Sequence, residues 1–337
     1  MPPPDHHLPV SLKPGQLATT GDTHLVPALI ADAGAPAAWR YIEFFSANIR
    51  NANTRRAYAR ARSEFFAWCE DRGLTLTTIR PIDVATYIEA LQKTHSAPGV
   101  KQQLAAVRML FDWLITGQVV PINPASAMRG PKHVVKRGKT PVLTADQARA
   151  LLDSIDTSTL VGLRDRALIG IMTYAFARIG AVVAMRVEDY FANGKRWWVR
   201  LHEKGGKRIE MPAHHKLEGF LDEYIRAAGF GDEAKSPLFR SARGRTGELN
   251  GEAIHRIDAY RMITRRAAEL GMKVKIGCHT FRATGITAYL EAGGTLENAQ
   301  AHGAHESPRT TNFMIVPVMK LRSMRSNESR FSAQSRD

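Results

Sequence analysis

The spacing of apolar residues between positions 37 and 120 predicts a small helical domain. Apolar side chains recur there every three or four residues, in about four segments that are each long enough for an amphipathic helix. The segment TRRAYARARSEFFAWCEDRG places an aromatic stripe opposite a basic face. Because aromatic residues at helical spacing are usually core residues, we predict that this stripe is buried. The stripe comprises Tyr58, Phe65, Phe66 and Trp68.

The pattern after residue 140 predicts a second domain that combines helices with a small β-sheet. LVGLRDRALIGIMTYAFA is apolar on most sides, as expected of a buried helix. Alternation in Trp197–His202 and Arg208–Met211 predicts two strands joined by the turn Lys204–Lys207. Helical spacing then returns, including GEAIHRIDAYRMITRRAAELG, apart from a polar loop predicted at residues 231–250. The predicted fold class is α+β: mainly α with a small β-sheet or hairpin.

Three further segments lack sustained periodicity. Residues 1–36 are rich in proline, glycine, alanine and threonine, which predicts a flexible N-terminal arm. Residues 121–140 combine proline and glycine with basic residues, which predicts a basic linker between a domain at 37–120 and a domain at 141–311. Residues 312–337 are basic and contain many methionines and serines, and we interpret them as an aberrant tail.

The charge of the chain favours a polyanionic partner. The 337 residues carry a formal net charge of +15, with a pI near 10.1. A membrane surface is the main competing partner, but no run of about 18 apolar residues predicts a span, and the N-terminus lacks the apolar core of a signal peptide. Cys69 and Cys278 are far apart and form no CxxC pair, so we expect a reducing bacterial cytoplasm.

Two groups of basic residues are candidates for contact with DNA phosphates. The helix with the aromatic stripe also carries four arginines, although a solvated face unrelated to DNA would have the same pattern. The linker would lie along phosphates as an extended basic strap, or serve only as a hydrated hinge. The candidate DNA-binding residues are Arg55, Arg56, Arg60 and Arg62 in the helix, and Arg129, Lys132, Lys136, Arg137 and Lys139 in the linker.

Five residues of the second domain form a candidate anion site. Arg178 follows a predicted buried helix, Lys204 lies in the hairpin turn, and His305 lies near the C-terminus. His279 and Arg282 are three residues apart, on one face of a predicted helix. Each residue alone has an ordinary surface interpretation, but together they suit metal-free phosphoryl transfer, in which negative charge grows on phosphate oxygens. No carboxylate cluster for Mg²⁺ is evident, so we expect neither metal nor cofactor.

The same residues give the chain a resemblance to the tyrosine recombinases, the phage-type integrases, over roughly residues 38–311. AFARIGAVVAMRVEDY resembles the first arginine box of that family, and HEKGGKRIEMP resembles its β-hairpin. HTFRATGITAYLEAG resembles its HxxR box, and GAHESPRTT resembles its last histidine box. Lys207 and His302 fall outside the pattern. The resemblance places the catalytic residues at Arg178, Lys204, His279, Arg282 and His305.

The resemblance implies a role for each of these residues. Arg178 and Arg282 would grip the scissile phosphate, and Lys204 would protonate the leaving 5′ oxygen. His279 would assist proton transfer with the nucleophile, and His305 would donate a hydrogen bond to the phosphate.

The resemblance also implies the partners. A helical, SAM-like core-binding domain and a catalytic domain would clamp double-stranded DNA like a C. The DNA would be an inverted-repeat recombination site, on which the chain assembles as a dimer to a tetramer. The implied location is the bacterial cytoplasm, in association with the nucleoid, without a membrane partner.

The nucleophile of the family is absent from its expected position. It should be a tyrosine nine residues after His305, which attacks phosphorus and forms a 3′-phosphotyrosyl link. That position holds Met314, whose thioether has no ionisable proton, and no tyrosine follows Tyr289. The chain is therefore expected not to cleave DNA in cis.

Three interpretations remain at this point. The first is a recombinase or integrase by descent that binds DNA but has lost strand cleavage. The second is an accessory or dominant-negative protein that occupies recombination sites. The third is an enzyme that uses the tyrosine of a partner chain. The altered C-terminus is expected to weaken assembly on DNA, because this segment of the family docks on a neighbouring protomer.

A frameshift just after Thr311 would explain the missing tyrosine. Phenylalanine codons end in T or C and the methionine codon is ATG, so a frame that joins the end of the Phe313 codon to the start of the Met314 codon must encode tyrosine or histidine. With permitted codons this frame continues as Leu-Tyr-Asp-Arg-Thr-Gly-Asp-Glu-Ile-Thr-Leu-Asp-Glu-Val-Glu-Arg, which is acidic and amphipathic. A natural tail combined with codon freedom is the competing explanation.

The coding nucleotides test the frameshift. We expect the codons of Asn312 to Asn327 to spell that acidic peptide in the shifted frame, because its tyrosine falls at the register of the nucleophile. Sequencing the gene across these codons is the measurement. Codons that spell a different peptide in the shifted frame would sink the hypothesis and leave the tail as a natural end.

Overall fold

The two sets of periodic apolar residues build two separate cores. The computed structural model describes residues 26–134, 138, 140–203, 206–244, 246–304 and 311. The chain divides into two units between Val134 and Val135, and each unit has its own hydrophobic cluster. The predicted fold class is confirmed, since the units are mainly helical with small antiparallel sheets. Among the described residues, no helix has the length and apolar character needed to cross a membrane.

The first unit is a bundle of helices around an aromatic core. Phe65 and Phe66 are fully buried, and Tyr58 and Trp68 pack against the same cluster, so the predicted aromatic stripe is confirmed. The Asn51 side chain accepts hydrogen bonds from two backbone amides and caps the third helix. The helices are α1 Ala28–Ala31, α2 Ala35–Glu43, α3 Ala52–Glu70, α4 Pro81–Thr94 and α5 Ala97–Thr116, and a π-helical turn at Phe44–Asn48 follows α2.

The packed part of this unit begins before the predicted limit at residue 37. Leu29 and Ile30 of α1 are buried in the core cluster. Residues 28–36 therefore belong to the fold and not to the predicted arm, because two apolar side chains in one short turn are enough to anchor it. Residues 1–25 of that arm lie outside the described residues.

The packed part also continues past residue 120, into the predicted linker. Asn123 and Ala125 are buried. Arg108 of α5 donates hydrogen bonds to the carbonyl oxygens of Ala125 at 3.2 Å and Met128 at 2.5 Å. These bonds fix residues 121–128 against the helices, so the linker prediction was wrong for this part of the segment.

Arg62 lies in the core of the first unit and not on the predicted DNA-binding face. Its guanidinium is fully buried, 4.2 Å from the ring centre of Phe44 and 4.0 Å from that of Phe45. None of its side-chain nitrogens has a hydrogen-bond partner among the described residues. Desolvation by burial lowers the pKa of Arg62 to about 9. The exposed-face prediction for Arg62 was wrong because cation–π contacts with aromatic rings hold the charge inside.

The second unit surrounds a long buried helix with further helices and two small sheets. The predicted hairpin is confirmed, with Val199 opposite Met211 and Leu201 opposite Ile209. The helices are α6 Ala145–Asp153, α7 Leu160–Tyr174, α8 Ile179–Val182, α9 His215–Ala228, α10 Arg256–Glu269, α11 Cys278–Glu291 and α12 Leu296–His302. The strands are β1 Tyr190–Asn193, β2 Arg196–His202, β3 Arg208–Pro212, β4 Arg240–Ala242 and β5 Leu249–Ala253.

Three short strands were not predicted. β1 adds to the hairpin to make an antiparallel sheet of order β1-β2-β3. β4 and β5 pair within and just beyond the stretch predicted as a polar loop, so that prediction was wrong for Arg240–Ala242 and for the start of β5. The end of β5 also occupies residues 251–253, which were predicted as helical. These strands have three to five residues and weak alternation of burial, so they leave little periodic signal.

Close packing of α11 on α7 places the segments of the candidate site. A Cβ atom at Gly285 would lie 1.9 Å from the carbonyl oxygen of Thr173, so this crossing accepts only glycine. Just after α7, Phe176 has a φ of +50°, a conformation that non-glycine residues rarely adopt. Its ring is buried and packs edge-on against Tyr289 of α11 at 5.8 Å between ring centres. Packing thus holds the strained turn that precedes Arg178.

Replacing Arg62 by methionine is expected to maintain or raise the melting temperature. Methionine fills a similar volume and removes a desolvated charge that has no hydrogen-bond partner among the described residues. Arg62→Ala is expected to lower the free energy of unfolding by about 2–4 kcal/mol, because it leaves a cavity between aromatic rings. Thermal melts of both variants are the measurement.

The exposed Arg60 supplies the matched control for this test. Arg60→Met removes the same charge from the same helix at the surface and should leave the melting temperature nearly unchanged. A drop of several degrees for Arg62→Met, with none for Arg60→Met, would contradict the expected neutrality of the core substitution.

Candidate active site

Two of the predicted arginines meet at a buried carboxylate. Arg178 is the residue that caps the start of α8, Arg282 lies in α11, and Glu203 directly follows β2. The backbone amide of Arg178 donates to Oε1 of Glu203 at 3.2 Å, and its Nη1 donates to Oε2 at 2.5 Å. Nη1 of Arg282 lies 3.8 Å from Oε1 of the same carboxylate. Three segments that are distant in sequence therefore converge on one carboxylate.

The three charges differ in their access to solvent. The side chains of Glu203 and Arg282 are each 1% exposed, whereas that of Arg178 is 29% exposed. Burial, the largest cause, and the neighbouring Arg178 together lower the pKa of Arg282 to about 10, against an opposing effect of Glu203. Arg178 is therefore the arginine of this cluster that is open to solvent.

Backbone carbonyls also accept hydrogen bonds from both arginines. Arg282 donates from Nη1 to the carbonyl oxygen of Phe176 and from Nη2 to that of Gly303. Nη2 of Arg178 donates to the carbonyl oxygen of Ala304 at 3.2 Å. Ala304 has a φ of +47°, in the left-handed region. These hydrogen bonds to protein acceptors hold both guanidinium groups in place.

His279 lies one helical turn before Arg282, in the first turn of α11. It is exposed and lines an open pocket of about 520 Å³ together with Ile179, Tyr260, Cys278 and other residues of α8, α10 and α11. The surrounding protein shields part of the ring from water, which is the largest cause of its lowered pKa, and Arg282 and Arg178 contribute in the same direction, against an opposing effect of Glu203. The imidazole is therefore neutral at pH 7 and available as a proton acceptor.

Three of the predicted catalytic positions lie outside the described residues. These are Lys204, His305 and Met314. Along the chain, Lys204 directly follows Glu203, and His305 directly follows Ala304. Both preceding residues contact Arg178. Of the predicted catalytic residues, the structure thus brings Arg178, His279 and Arg282 together.

Glu203 is the site residue that sequence reasoning missed. Val199 and Leu201 of β2 point into the core, and the period of two continues that inward face to position 203. An acidic residue at an inward strand position must find a buried partner. Applied to the strand that precedes Lys204, that rule would have indicated Glu203 as a buried, paired residue.

The candidate DNA-binding residues lie in different settings. Arg55 is half-buried and donates to the carbonyl oxygen of Ile49, whereas Arg56 and Arg60 are exposed on α3. Arg60 pairs with Glu64 at 2.7 Å. Arg129 and Lys132 are exposed, and Lys136, Arg137 and Lys139 lie outside the described residues. A contact of any of these residues with DNA stays a prediction.

The environment of His279 gives a measurable pH dependence. Its imidazole is expected to titrate below the ordinary value of 6.5. Arg178→Gln removes one of the cations that disfavour the protonated ring and is expected to move the midpoint upward. Desolvation, the largest cause, remains in that variant and should keep the pKa below the ordinary value.

NMR titration of histidine-labelled protein measures this midpoint, and His279→Gln identifies the signal. Arg261→Gln, which removes an exposed arginine of α10, is the charge-matched control and should leave the midpoint unchanged. A midpoint that does not move in Arg178→Gln would contradict the assigned electrostatic coupling.

Comparison with known proteins gives a consistent family. Residues 141–314 match the phage integrase family, and residues 40–118 match the phage integrase N-terminal SAM-like domain. Tyrosine recombinase XerD of Listeria monocytogenes serotype 4b (strain F2365) is 28% identical over 279 residues, which cover 81% of this chain and 90% of the relative. Tyrosine recombinase XerC of Chlamydia muridarum (strain MoPn / Nigg) is 30% identical over 240 residues, which cover 70% of this chain and 72% of the relative.

Solved structures share the fold. XerH site-specific recombinase bound to a palindromic difH substrate, in a post-cleavage complex, gives a TM-score of 0.66 at 16% identity and covers 92% of this chain and 98% of that chain. A lambda integrase(75-356) dimer bound to a COC′ core site gives a TM-score of 0.64 at 18% identity and covers 82% of this chain and 92% of that chain. Because the family match spans more than half of the chain, the protein belongs to the phage integrase family of tyrosine recombinases.

Proposed function

We propose that the chain binds recombination-site DNA as a tyrosine recombinase that cannot cleave it in cis. One observation carries this proposal: the chain retains the cationic site but has Met314 at the position of the nucleophile. In support of the proposal, Arg178 and Arg282 lie against Glu203, and all three charges influence the pKa of His279. Methionine cannot attack phosphorus to form a stable ester, so the covalent step has no nucleophile in this chain.

The geometry supports a different role for each of these residues at the scissile phosphate. Arg178, whose side chain is partly exposed, would contact a phosphate oxygen directly. Arg282, which is buried, would stabilise the negative charge of the same phosphate. A neutral His279 would accept the proton of an attacking hydroxyl. Lys204 and His305 are assigned by family resemblance, as the proton donor to the leaving 5′ oxygen and as a hydrogen-bond donor to the phosphate.

The proposed DNA complex uses both units and several copies of the chain. Among the similar solved structures, lambda integrase is bound to DNA as a dimer and as a tetramer on a Holliday junction. We propose that the packed residues 28–128 form the core-binding domain, that residues 141–311 form the catalytic domain, and that both contact one duplex. The altered residues after Thr311 should weaken the contact between protomers, so assembly is proposed to stop at a lower order.

Two other functions use the same retained site. An accessory or dominant-negative protein would occupy the DNA without any chemistry. An enzyme completed in trans would accept a tyrosine from an intact relative, because its own phosphate-binding residues are in place. The absent nucleophile favours both over cleavage in cis, and covalent trapping separates them.

Duplex binding is expected to depend strongly on salt. The affinity should fall by about 10³-fold between 50 mM and 200 mM salt, as for a protein that neutralises about six phosphates. Fluorescence anisotropy with a labelled duplex is the measurement. A binding curve that stays flat over this range would contradict binding through phosphates, and with it the proposed function.

Covalent trapping on a library of nicked duplexes tests the chemistry. The chain alone is expected to form no protein–DNA adduct, because it lacks the nucleophile. An adduct that forms only with an added intact relative, and on the tyrosine of that relative, would establish completion in trans. An adduct on this chain alone would refute the loss of cleavage in cis.

A further inference from the structure

We propose that Glu203 is a positioning residue, whose carboxylate holds Arg178 and Arg282 in the arrangement that receives the scissile phosphate. This inference rests on the proposed function, since it concerns the same phosphate site. Glu203 itself faces the arginines and not the DNA, because its side chain is only 1% exposed.

The contacts of Glu203 fix both the backbone and the side chain of Arg178. Oε1 accepts from the backbone amide, and Oε2 accepts from Nη1. Two bonds from one carboxylate to one residue restrict the position of Cα and the direction of the guanidinium together. A second donor of that side chain, Nη2, is bound by the carbonyl oxygen of Ala304. Arg178 is thus oriented before any phosphate arrives.

The charge of Glu203 also permits the two arginines to lie side by side. Arg282 is almost completely buried, and the nearby positive charge of Arg178 lowers its pKa. Two guanidinium groups with no anion between them would repel each other in a region where water screens poorly. The carboxylate reduces the net charge of the three groups to +1. A phosphate can then bind to this remaining positive charge without displacing an arginine.

The position of Glu203 on the chain adds a mechanical link. It continues the inward face of β2, a strand paired on both sides by β1 and β3. A site built on a paired strand is held more rigidly than one built on a free loop. Lys204, the residue assigned as proton donor, is the next residue in the sequence after Glu203.

Charge and geometry predict opposite effects for Glu203→Gln. If the carboxylate were only a negative charge near DNA, its removal would strengthen binding of a polyanion. If it positions the arginines, its removal should weaken binding although the net charge of the protein rises by one. Glu269→Gln, on the exposed end of α10, removes the same charge at a surface position and is the matched control.

The test is a set of salt titrations on a labelled duplex with the full chain. Glu203→Gln is expected to bind about threefold to tenfold more weakly than the wild type, the effect of losing part of one charge-assisted contact. The slope of log affinity against log salt should be smaller in magnitude, by the amount that corresponds to about one phosphate contact. Glu269→Gln should bind as tightly as the wild type or slightly more tightly. A Glu203→Gln protein that binds at least as tightly as Glu269→Gln would overturn the proposal.

Glu203→Asp keeps the charge and withdraws the carboxylate by one methylene. The proposal predicts an affinity between those of the wild type and Glu203→Gln, with circular dichroism spectra that match the wild type. Wild-type affinity in the aspartate variant would overturn the proposal, because geometry would then not matter. This variant also serves if Glu203→Gln does not fold.

A double-mutant cycle separates positioning from general damage. In an Arg178→Gln background, Glu203→Gln should cause a smaller loss than it does in the wild type, because the part of its effect that passes through Arg178 is already gone and only the part through Arg282 remains. If each substitution weakened binding by its full amount in the double variant, Glu203 would act independently and the proposal would fall. If Arg178→Gln itself left the affinity and the salt slope unchanged, the proposed phosphate site would fail, which is a different outcome.

Discussion

The ion cluster of Glu203, Arg178 and Arg282 is the interaction on which the catalytic unit depends. Removing a charge from water is costly unless an opposite charge and hydrogen bonds replace the water. Glu203 and Arg282 are almost fully buried, so neither can remain without the other and its carbonyl partners. The start of α8, the end of β2 and the middle of α11 are thus brought together by one electrostatic requirement, and the phosphate-binding geometry follows from it.

The two units handle buried arginines in different ways. In the second unit, Asp165 is fully buried and bonds both Arg164 and Arg266, which ties α7 to α10. This pairing repeats the arrangement of one carboxylate between two arginines. In the first unit, Arg62 has only aromatic rings around it and no hydrogen-bond partner among the described residues. Pairing with a carboxylate fixes the direction of a guanidinium group, which suits a site whose donors must point at a ligand. A guanidinium group surrounded by aromatic rings mainly fills volume in the core.

Sequence periodicity predicted the long helices and the hairpin, because each contains several repeats of its pattern. It failed for β1, β4 and β5, which are too short to show a period. Arg62 and Glu203 show a different failure. Arg62 follows Tyr58 by four residues and precedes Phe66 by four, so its position lay on the aromatic face, and Glu203 lay on the inward face of β2. For Arg62 the position in the pattern was informative and the charge was given too much weight, whereas the inward position of Glu203 was not used at all.

Loss of the nucleophile and retention of the phosphate site are physically compatible. Met314 replaces the nucleophile alone, whereas Arg178 and Arg282 bind a buried carboxylate and three backbone carbonyls. A substitution at either arginine would remove one of the two cations that compensate the buried charge of Glu203, a cost that does not depend on whether DNA is cleaved. These arginines are therefore held in place by the requirements of folding. An intact cationic site measures the integrity of the fold, and the presence of a nucleophile must be established separately.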